Sequence, residues 1–265
     1  MDRLDAAAIV VPGVEVRVVE RCTSTNDLLS KENNPVLLAA EEQTAGRGRR
    51  GRRWHSAPGA GATFSLGRRV RRPVRELAAL SLVAGVAAAR ALRALGLQQA
   101  ALKWPNDLMV DGAKLGGILV ENRDSNYAVI GIGINCRRTR GLDAGRGRKP
   151  AFLHDYVAVP RYRLIQEVGR ALLEALDAFE ALGLDALRAE WQAMDAHAGQ
   201  RLRVRLADGR VMSGVASGLA DDGALQLRTR GRPPGSPGCA ARRRGRAGRR
   251  ACGPARRRGL GCAGS

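Results

Sequence analysis

The sequence predicts a mixed α/β (α+β) fold, one sheet backed by helices, with a second and smaller β domain at its C-terminal end. Three observations predict it. Strand-like apolar segments at 14–19, 36–41, 62–66, 102–110, 114–121 and 127–135 interleave with helical patterns at 73–95, 161–182 and 184–196. Two apolar runs flank Asp111-Gly112, the mark of an antiparallel hairpin. From Gly199 the texture changes to short alternating runs separated by Asp208-Gly209 and Asp222-Gly223, a β meander.

Each element has a local reason. Val14, Val16 and Val18 alternate with Glu15 and Arg17, giving a strand with one face more buried than the other. Thr23-Ser24-Thr25-Asn26-Asp27 then precedes Leu28-Leu29 and reads as a helix start, with Ser24 and Asp27 at capping-box spacing. A helix is expected over 73–95: Pro73 opens it, Ala and Leu fill it and Gly96 ends it. Its nearly continuous apolar middle marks it as buried against the sheet. Residues 137–150 form a Gly/Arg loop, and two amphipathic helices close the main domain. The expected division is 1–198 for the main domain, 199–230 for an incomplete β domain and 231–265 for a tail.

The net charge of +20 is localised. Residues 231–265 hold ten arginines and no acid, which leaves 35 basic against 25 acidic residues, or +10, for the rest. Residues 43–75 hold another ten arginines, again without an acid. The tail is almost wholly Gly, Ala, Arg, Pro, Cys and Ser, a composition that GC-rich coding sequence gives when read out of frame. It is expected to be disordered, leaving the meander with an unpaired edge. The chain opens on Met-Asp-Arg-Leu-Asp, without the pattern of a secretory leader, and its longest apolar run, 77–89, is too short to span a bilayer. Five cysteines and three histidines show no metal-ligand spacing, so a cytoplasmic protein without a structural zinc is expected.

The stretch Gln43 to Trp54 is the chemical centre. Between Gly46 and Arg53 lie five arginines and three glycines, with nothing apolar. Such arginines repel one another unless an anion sits among them, and glycines let backbone N–H groups approach a ligand. Gly46, Gly48 and Gly51 match the spelling of a dinucleotide fingerprint, but Arg-Arg-Trp-His-Ser-Ala-Pro-Gly follows where a helix is required, so that reading is rejected. No Walker A loop occurs. Only four of 45 basic residues are lysines, and two of them, Lys103 and Lys114, bracket the hairpin. Lysine is a compact mobile charge that arginine does not replace.

Five motifs in order, Thr23-Ser24-Thr25-Asn26, Gln43 through Gly46-Arg47-Gly48-Arg49-Arg50-Gly51-Arg52 to Trp54, Lys103-Trp104-Pro105-Asn106-Asp107, Lys114 through Glu121, and Gly131-x-Gly133-x-Asn135, resemble those of the biotin–protein ligases. The resemblance covers about residues 14–230. It implies a sheet like that of class II aminoacyl-tRNA synthetases with an SH3-like barrel behind it. It also implies two reactions: biotin and MgATP give biotinyl-5′-AMP and pyrophosphate, and the acyl group passes to a lysine of a biotin carboxyl carrier protein. On that pattern Ser24, Thr25, Asn26 and Gln43 hold the ureido end of biotin. Arg47, Gly48 and Arg49 form a flap over its carboxylate, expected to be disordered until biotin and ATP bind. Lys114 meets the reacting carboxylate and phosphate, so that Lys114, Arg47 and Arg49 are the catalytic set. Gly46, Arg50, Trp54, Asn106 and Asn135 surround the nucleotide, and Asp107 is the candidate for Mg2+. The pattern begins near Val14, without room for the DNA-binding winged helix of bifunctional members, so a repressor role is not expected. The rival readings are a lipoate–protein ligase, which shares fold and chemistry, a basic nucleic-acid-binding protein and a catalytically dead relative. The second requires aromatics among the basic residues, and the nine aromatics here are not so placed. Intact Lys114 and the intact loop argue against the third.

Overall fold

The computed structural model describes residues 3–123, 126–139, 150–206, 208–229 and 240–241. The expected Gly/Arg loop at 137–150 falls largely outside the described residues, and so does the tail at 231–265 apart from Ala240 and Ala241.

A seven-stranded mixed sheet carries the main domain. Its strands are β1 (Glu15–Cys22), β2 (Val36–Gln43), β3 (Gly61–Arg69), β4 (Ala101–Lys103), β5 (Asp107–Val110), β6 (Ala113–Arg123) and β7 (Tyr127–Asn135), in the order β1-β2-β3-β7-β6-β5-β4. Only β1 and β2 run parallel. The parallel pair needs a crossover, and the short helix α1 (Thr25–Leu29) lies within it. The other links are antiparallel, and the Asp111-Gly112 turn between β5 and β6 has both residues at positive φ, 47° and 72°, as a tight hairpin requires.

Alternation along the central strands gives the sheet two different faces. On one, Leu37, Ala39, Phe64, Leu66, Ile130, Ile132 and Ile134 pack with the long helices α2 (Leu80–Ala94) and α3 (Arg161–Leu182) in one buried core. On the other face the residues on β3 and β7 at the centre of the sheet are small or polar. Thr63, Gly133 and Gly117 lie abreast across β3, β7 and β6, and Ser65, Gly131 and Leu119 form the next row. A small cluster of Leu29, Val36, Leu38, Tyr127 and Val129 closes one end of this face beneath α1.

Helix α2 starts later than the expected Pro73. Residues 73–79 make successive i to i+3 turns, Glu76 N to Pro73 O at 2.8 Å and Ala79 N to Glu76 O at 2.9 Å, before the α-helix begins at Leu80. Arg72 pairs with Glu76 across this segment. The span Leu77–Ala94 is long and apolar enough by length and composition to cross a bilayer, which corrects the count made on 77–89. It is 78% buried inside the protein, because it is the helix that backs the sheet.

Helix α4 (Asp185–Ala193), shorter than the expected 184–196, leads to the second sheet, β8 (Arg201–Arg205), β9 (Val211–Leu219), β10 (Leu225–Arg228) and β11 (Ala240–Ala241). The expectation of an unpaired meander edge is corrected here: Ala240 and Ala241 pair antiparallel with Gln226 and Leu225. A buried ion pair ties the N-terminus to the main domain. Arg161, 1% exposed, donates to Glu41 Oε2 at 2.7 Å, and the Leu4 amide donates to Glu41 Oε1 at 2.6 Å.

Candidate active site

The site lies on the small-residue face of the sheet. α1 sits above β2, β3 and β7, and this places its first turn against Gln43 and Ser65. Ser24 is the N-cap residue and is buried, yet its side chain makes no capping hydrogen bond, so the expected capping box is not formed. Asp27, the other half of that box, instead accepts both arms of Arg47, at 2.7 and 2.5 Å. An arginine fork in sequence distant by a whole strand wins over a local amide because it brings a full opposite charge.

Below α1 runs a buried polar chain. Gln43 Oε1 accepts from the Thr25 amide at 2.7 Å and its hydroxyl at 3.0 Å. Thr25 Oγ1 and Ser65 Oγ lie 2.6 Å apart, Ser65 Oγ donates to Asn26 Oδ1 at 2.6 Å, and Asn26 Nδ2 donates to Glu121 Oε2 at 2.9 Å. Arg47 reaches the same Glu121 oxygen at 3.6 Å. The structure therefore brings Thr25, Asn26 and Gln43 together and adds Ser65 and Glu121, which the sequence reading did not assign. Ser65 left a readable trace: Thr63 and Ser65 are hydroxyls at alternate positions inside an otherwise apolar strand, so they share one face. Gly131 completes this corner, since a Cβ there would stand 2.3 Å from Asn26 Oδ1.

The arginine loop folds back on itself by backbone bonds. Gly48 N donates to Arg52 O at 2.7 Å, Trp54 N to Gly46 O at 2.9 Å, and Arg47 bridges Arg53. Gly46 is required by space, because a Cβ would lie 2.8 Å from Gln43 Nε2 and 2.9 Å from Trp54 O. Arg50 and Gly51 both take positive φ at the loop tip, 59° and 73°, and Arg50 is the residue that carries strain there. Trp54 lies across the bare floor of the sheet: a Cβ on Gly133 would be 2.3 Å from its ring, and one on Gly117 3.8 Å. Its indole Nε1 is buried and has no partner among the described residues. Sequence reasoning put Trp54 beside the nucleotide; in this structure it covers the glycine row between the polar chain and Lys114.

Two cations are held by consecutive residues. Asn106 Oδ1 accepts from Arg49 at 3.5 Å, while Asp107 Oδ1 accepts from Lys114 Nζ at 2.7 Å. Asn106 is itself fixed to β6, its Nδ2 donating to Ile118 O at 2.7 Å. Burial pushes the pKa of Arg49 down, and neighbouring Arg50 and Arg52 push it further, partly offset by Asp107. Arg47 is the opposite case, pushed up by its bond to Asp27. Arg49 is thus a guanidinium still charged but short of counter-charge, and an arriving anion relieves it. Asn135 sits at the end of β7, donating to Ala151 O at 3.2 Å and Lys114 O at 3.4 Å, so it braces the lysine's backbone.

Asp107, the expected magnesium ligand, lies between the two lysines of the hairpin in this structure. Its carboxylate carries Lys114 at 2.7 Å and Lys103 at 3.9 Å. Among the described residues no three His, Cys, Asp or Glu side chains converge as a metal cage. A magnesium ion that arrives with a nucleotide is held by substrate phosphates together with one or two carboxylates, so a cage of three is not required.

Comparison with known proteins fits this geometry. The profile described as the biotin/lipoate A/B protein ligase family matches residues 17–135, and that of the biotin protein ligase C terminal domain matches 197–242. The second match reaches past residue 230 to the β11 strand. The bifunctional ligase/repressor BirA of Escherichia coli is 34% identical over 224 residues, 81% of this chain and 70% of that protein. A biotin–[acetyl-CoA-carboxylase] ligase of Mycobacterium tuberculosis is 34% identical over 82% of this chain and 85% of its own. Among solved structures, the biotin protein ligase of Aquifex aeolicus in complex with biotin and ATP superposes with a TM-score of 0.70 at 26% identity, covering 81% of this chain and 92% of that one. With a third of its residues identical to these relatives over most of both chains, this chain belongs to the biotin–protein ligase family.

Proposed function

We propose that this chain activates biotin with ATP to biotinyl-5′-AMP and transfers the biotinyl group to a lysine of the biotin carboxyl carrier protein of acetyl-CoA carboxylase. The observation that carries the reading is the order of chemistry along one face: a hydrogen-bonding chain of Gln43, Thr25, Ser65 and Asn26, then bare glycines, then two cations. Thr25, Asn26 and Gln43 offer donors and acceptors matched to a ureido ring. The glycine row leaves space for an apolar chain once Trp54 gives way. Arg49 and Lys114 then meet the two anions that must react.

In the first step a carboxylate oxygen attacks the α-phosphorus, a P–O bond forms, and the bond to pyrophosphate breaks. Both partners are negative, so the protein's task is charge neutralisation, orientation and exclusion of water rather than nucleophilic attack. Lys114 carries the charge that develops on the phosphoryl oxygens, and Arg49 with Arg47 closes over the product. In the second step the neutral ε-amine of the carrier lysine attacks the acyl carbon, AMP leaves and the amine proton is lost. We place the reaction in the cytoplasm, where the free thiols Cys22 and Cys136 remain reduced.

The test is biotin-dependent exchange of pyrophosphate into ATP by the purified chain, with lipoate as the competing substrate. Exchange with biotin and not with lipoate is expected. Exchange driven by lipoate, or none with either, overturns the assignment.

A further inference from the structure

We infer that Trp104 is a positioning residue through which the C-terminal β domain sets the geometry of the two cations. The inference rests on the ligase reading above, and extends it to a residue outside the ligand-contacting set.

The loop 104–106 joins β4 to β5, and its Asn106 and the first residue of β5, Asp107, hold Arg49 and Lys114. Two sides of this loop are fixed within the main domain. On the sheet side, Ile118 N donates to Asn106 O at 2.9 Å and Asn106 Nδ2 returns to Ile118 O. On the helix side, Ser81 of α2 donates to Pro105 O at 3.2 Å. The third side belongs to the other domain: Trp104 Nε1 donates to the carbonyl of Gly223 at 3.0 Å.

That carbonyl is well anchored. Gly223 lies in the turn between β9 and β10, closed by Gly223 N to Ala220 O and Ala220 N to Ala224 O, each 2.9 Å. Its φ of +76° calls for glycine, and an added Cβ would lie 2.7 Å from Leu82 and 3.2 Å from Leu184. The turn is therefore wedged between α2 and the start of α4, and Arg188 of α4 ties down its Asp221 at 2.8 Å. An indole N–H directed at a carbonyl fixed this way is a geometric constraint on the residue two places before Asn106. Among the described residues the hydrogen bonds of Thr25, Asn26 and Gln43 do not reach this loop; Asn26 donates to Leu119 O on β6 at 3.3 Å. Loss of the contact should therefore loosen the cation end and spare the ureido end.

The experiment uses the full chain and Trp104→Phe, which keeps an aromatic ring and removes the donor, with Gly223→Ala as the variant from the other side of the contact. One net hydrogen bond corresponds to a change of about fivefold. Trp104→Phe should raise the KM for ATP by about that factor in pyrophosphate exchange, leave the calorimetric affinity for biotin within about twofold, and speed amide exchange at Asn106 and Ile118. Gly223→Ala should act in the same direction, and the double variant should be no worse than the worse single one, as one shared contact requires. A KM for ATP unchanged within about twofold, an equal loss of affinity for both substrates, or additive effects would each overturn the inference. Amide exchange needs no activity. If the parent chain shows no biotin-dependent turnover while Trp104→Phe still loosens Asn106 and Ile118, the ligase reading falls and the coupling stands; unchanged exchange at both amides overturns the coupling alone. If Trp104→Phe does not fold, Gly223→Ala carries the same measurements.

Discussion

Replacing Lys114 by Ala separates a role in chemistry from a role in folding. Lys114 Nζ stands 2.7 Å from Asp107 Oδ1, but its side chain is 33% exposed and Asp107 keeps Lys103 at 3.9 Å after the change. A partly solvated pair of this kind contributes at most about 1 kcal/mol. For a chain of this size, that lowers the melting temperature by about 2–4 °C. The same ammonium placed on a phosphoryl oxygen in the transition state is worth about 3 kcal/mol, a rate factor of about a hundred. The two scales differ enough to be read in one preparation: thermal melting by circular dichroism, and biotinyl-AMP formation in single turnover. Lys114→Arg should rescue stability but not rate, because a planar guanidinium cannot place its charge where the ammonium sat. If Lys114→Ala forms biotinyl-AMP within about threefold of the parent rate, the transition-state role is refuted, since that rate loss corresponds to under about 1 kcal/mol. A fall in melting temperature beyond about 10 °C shows instead that the lysine is structural.

The remaining predictions address the other parts of the site and the core. Biotin with ATP should protect the Arg47–Arg53 loop from trypsin, and Arg49→Ala should release biotinyl-AMP faster at nearly unchanged stability; equal cleavage with and without ligands contradicts this. Gly131→Ala puts a Cβ where Asn26 Oδ1 now stands, 2.3 Å away, so Asn26 must leave Ser65 and Glu121. Biotin affinity should fall about tenfold or more by calorimetry while the fold persists, and unchanged affinity removes Asn26 from the binding set. Burial pushes the Glu41 carboxyl up, but Arg161 and the Leu4 amide outweigh it and hold its pKa below the ordinary value. The stability this adds is fully present above the unfolded value of about 4.3 and is lost as pH falls through the depressed folded value, so acid unfolding should set in below about pH 4. Glu41→Gln removes the 2.7 Å ion pair to the buried Arg161 and should cost about 3–5 kcal/mol in urea denaturation at neutral pH; a loss under about 1 kcal/mol contradicts the pair's importance.

Much of the site was legible because its chemistry is written in residue type. Arginines and glycines without acids between Gly46 and Arg53, and lysine kept at 103 and 114 in a chain that otherwise uses arginine, mark where the proposed reaction would handle its anions. Ser65 and Glu121 were harder to see. Each is an ordinary strand residue until the register sets Ser65 beside Gly131 and brings Asn26 over both. The pairing of Asp27 with Arg47 was misread as a helix cap, since local spacing cannot show that a guanidinium from the next loop arrives first.

Period and punctuation in the sequence determined the element types: the Asp111-Gly112 hairpin, the helix over 161–182 and the strand over 127–135 follow from local rules that hold wherever the segment goes. Only the tertiary structure decided what lies across from what. The start of α2 moved from Pro73 to Leu80, and the meander edge was filled by Ala240 and Ala241, because packing and pairing partners far along the chain compete with local preference. Trp104 is the clearest case. Its neighbours in sequence identify a motif, but its partner is the Gly223 carbonyl, 119 residues away, and a hydrogen bond between domains has no local signature.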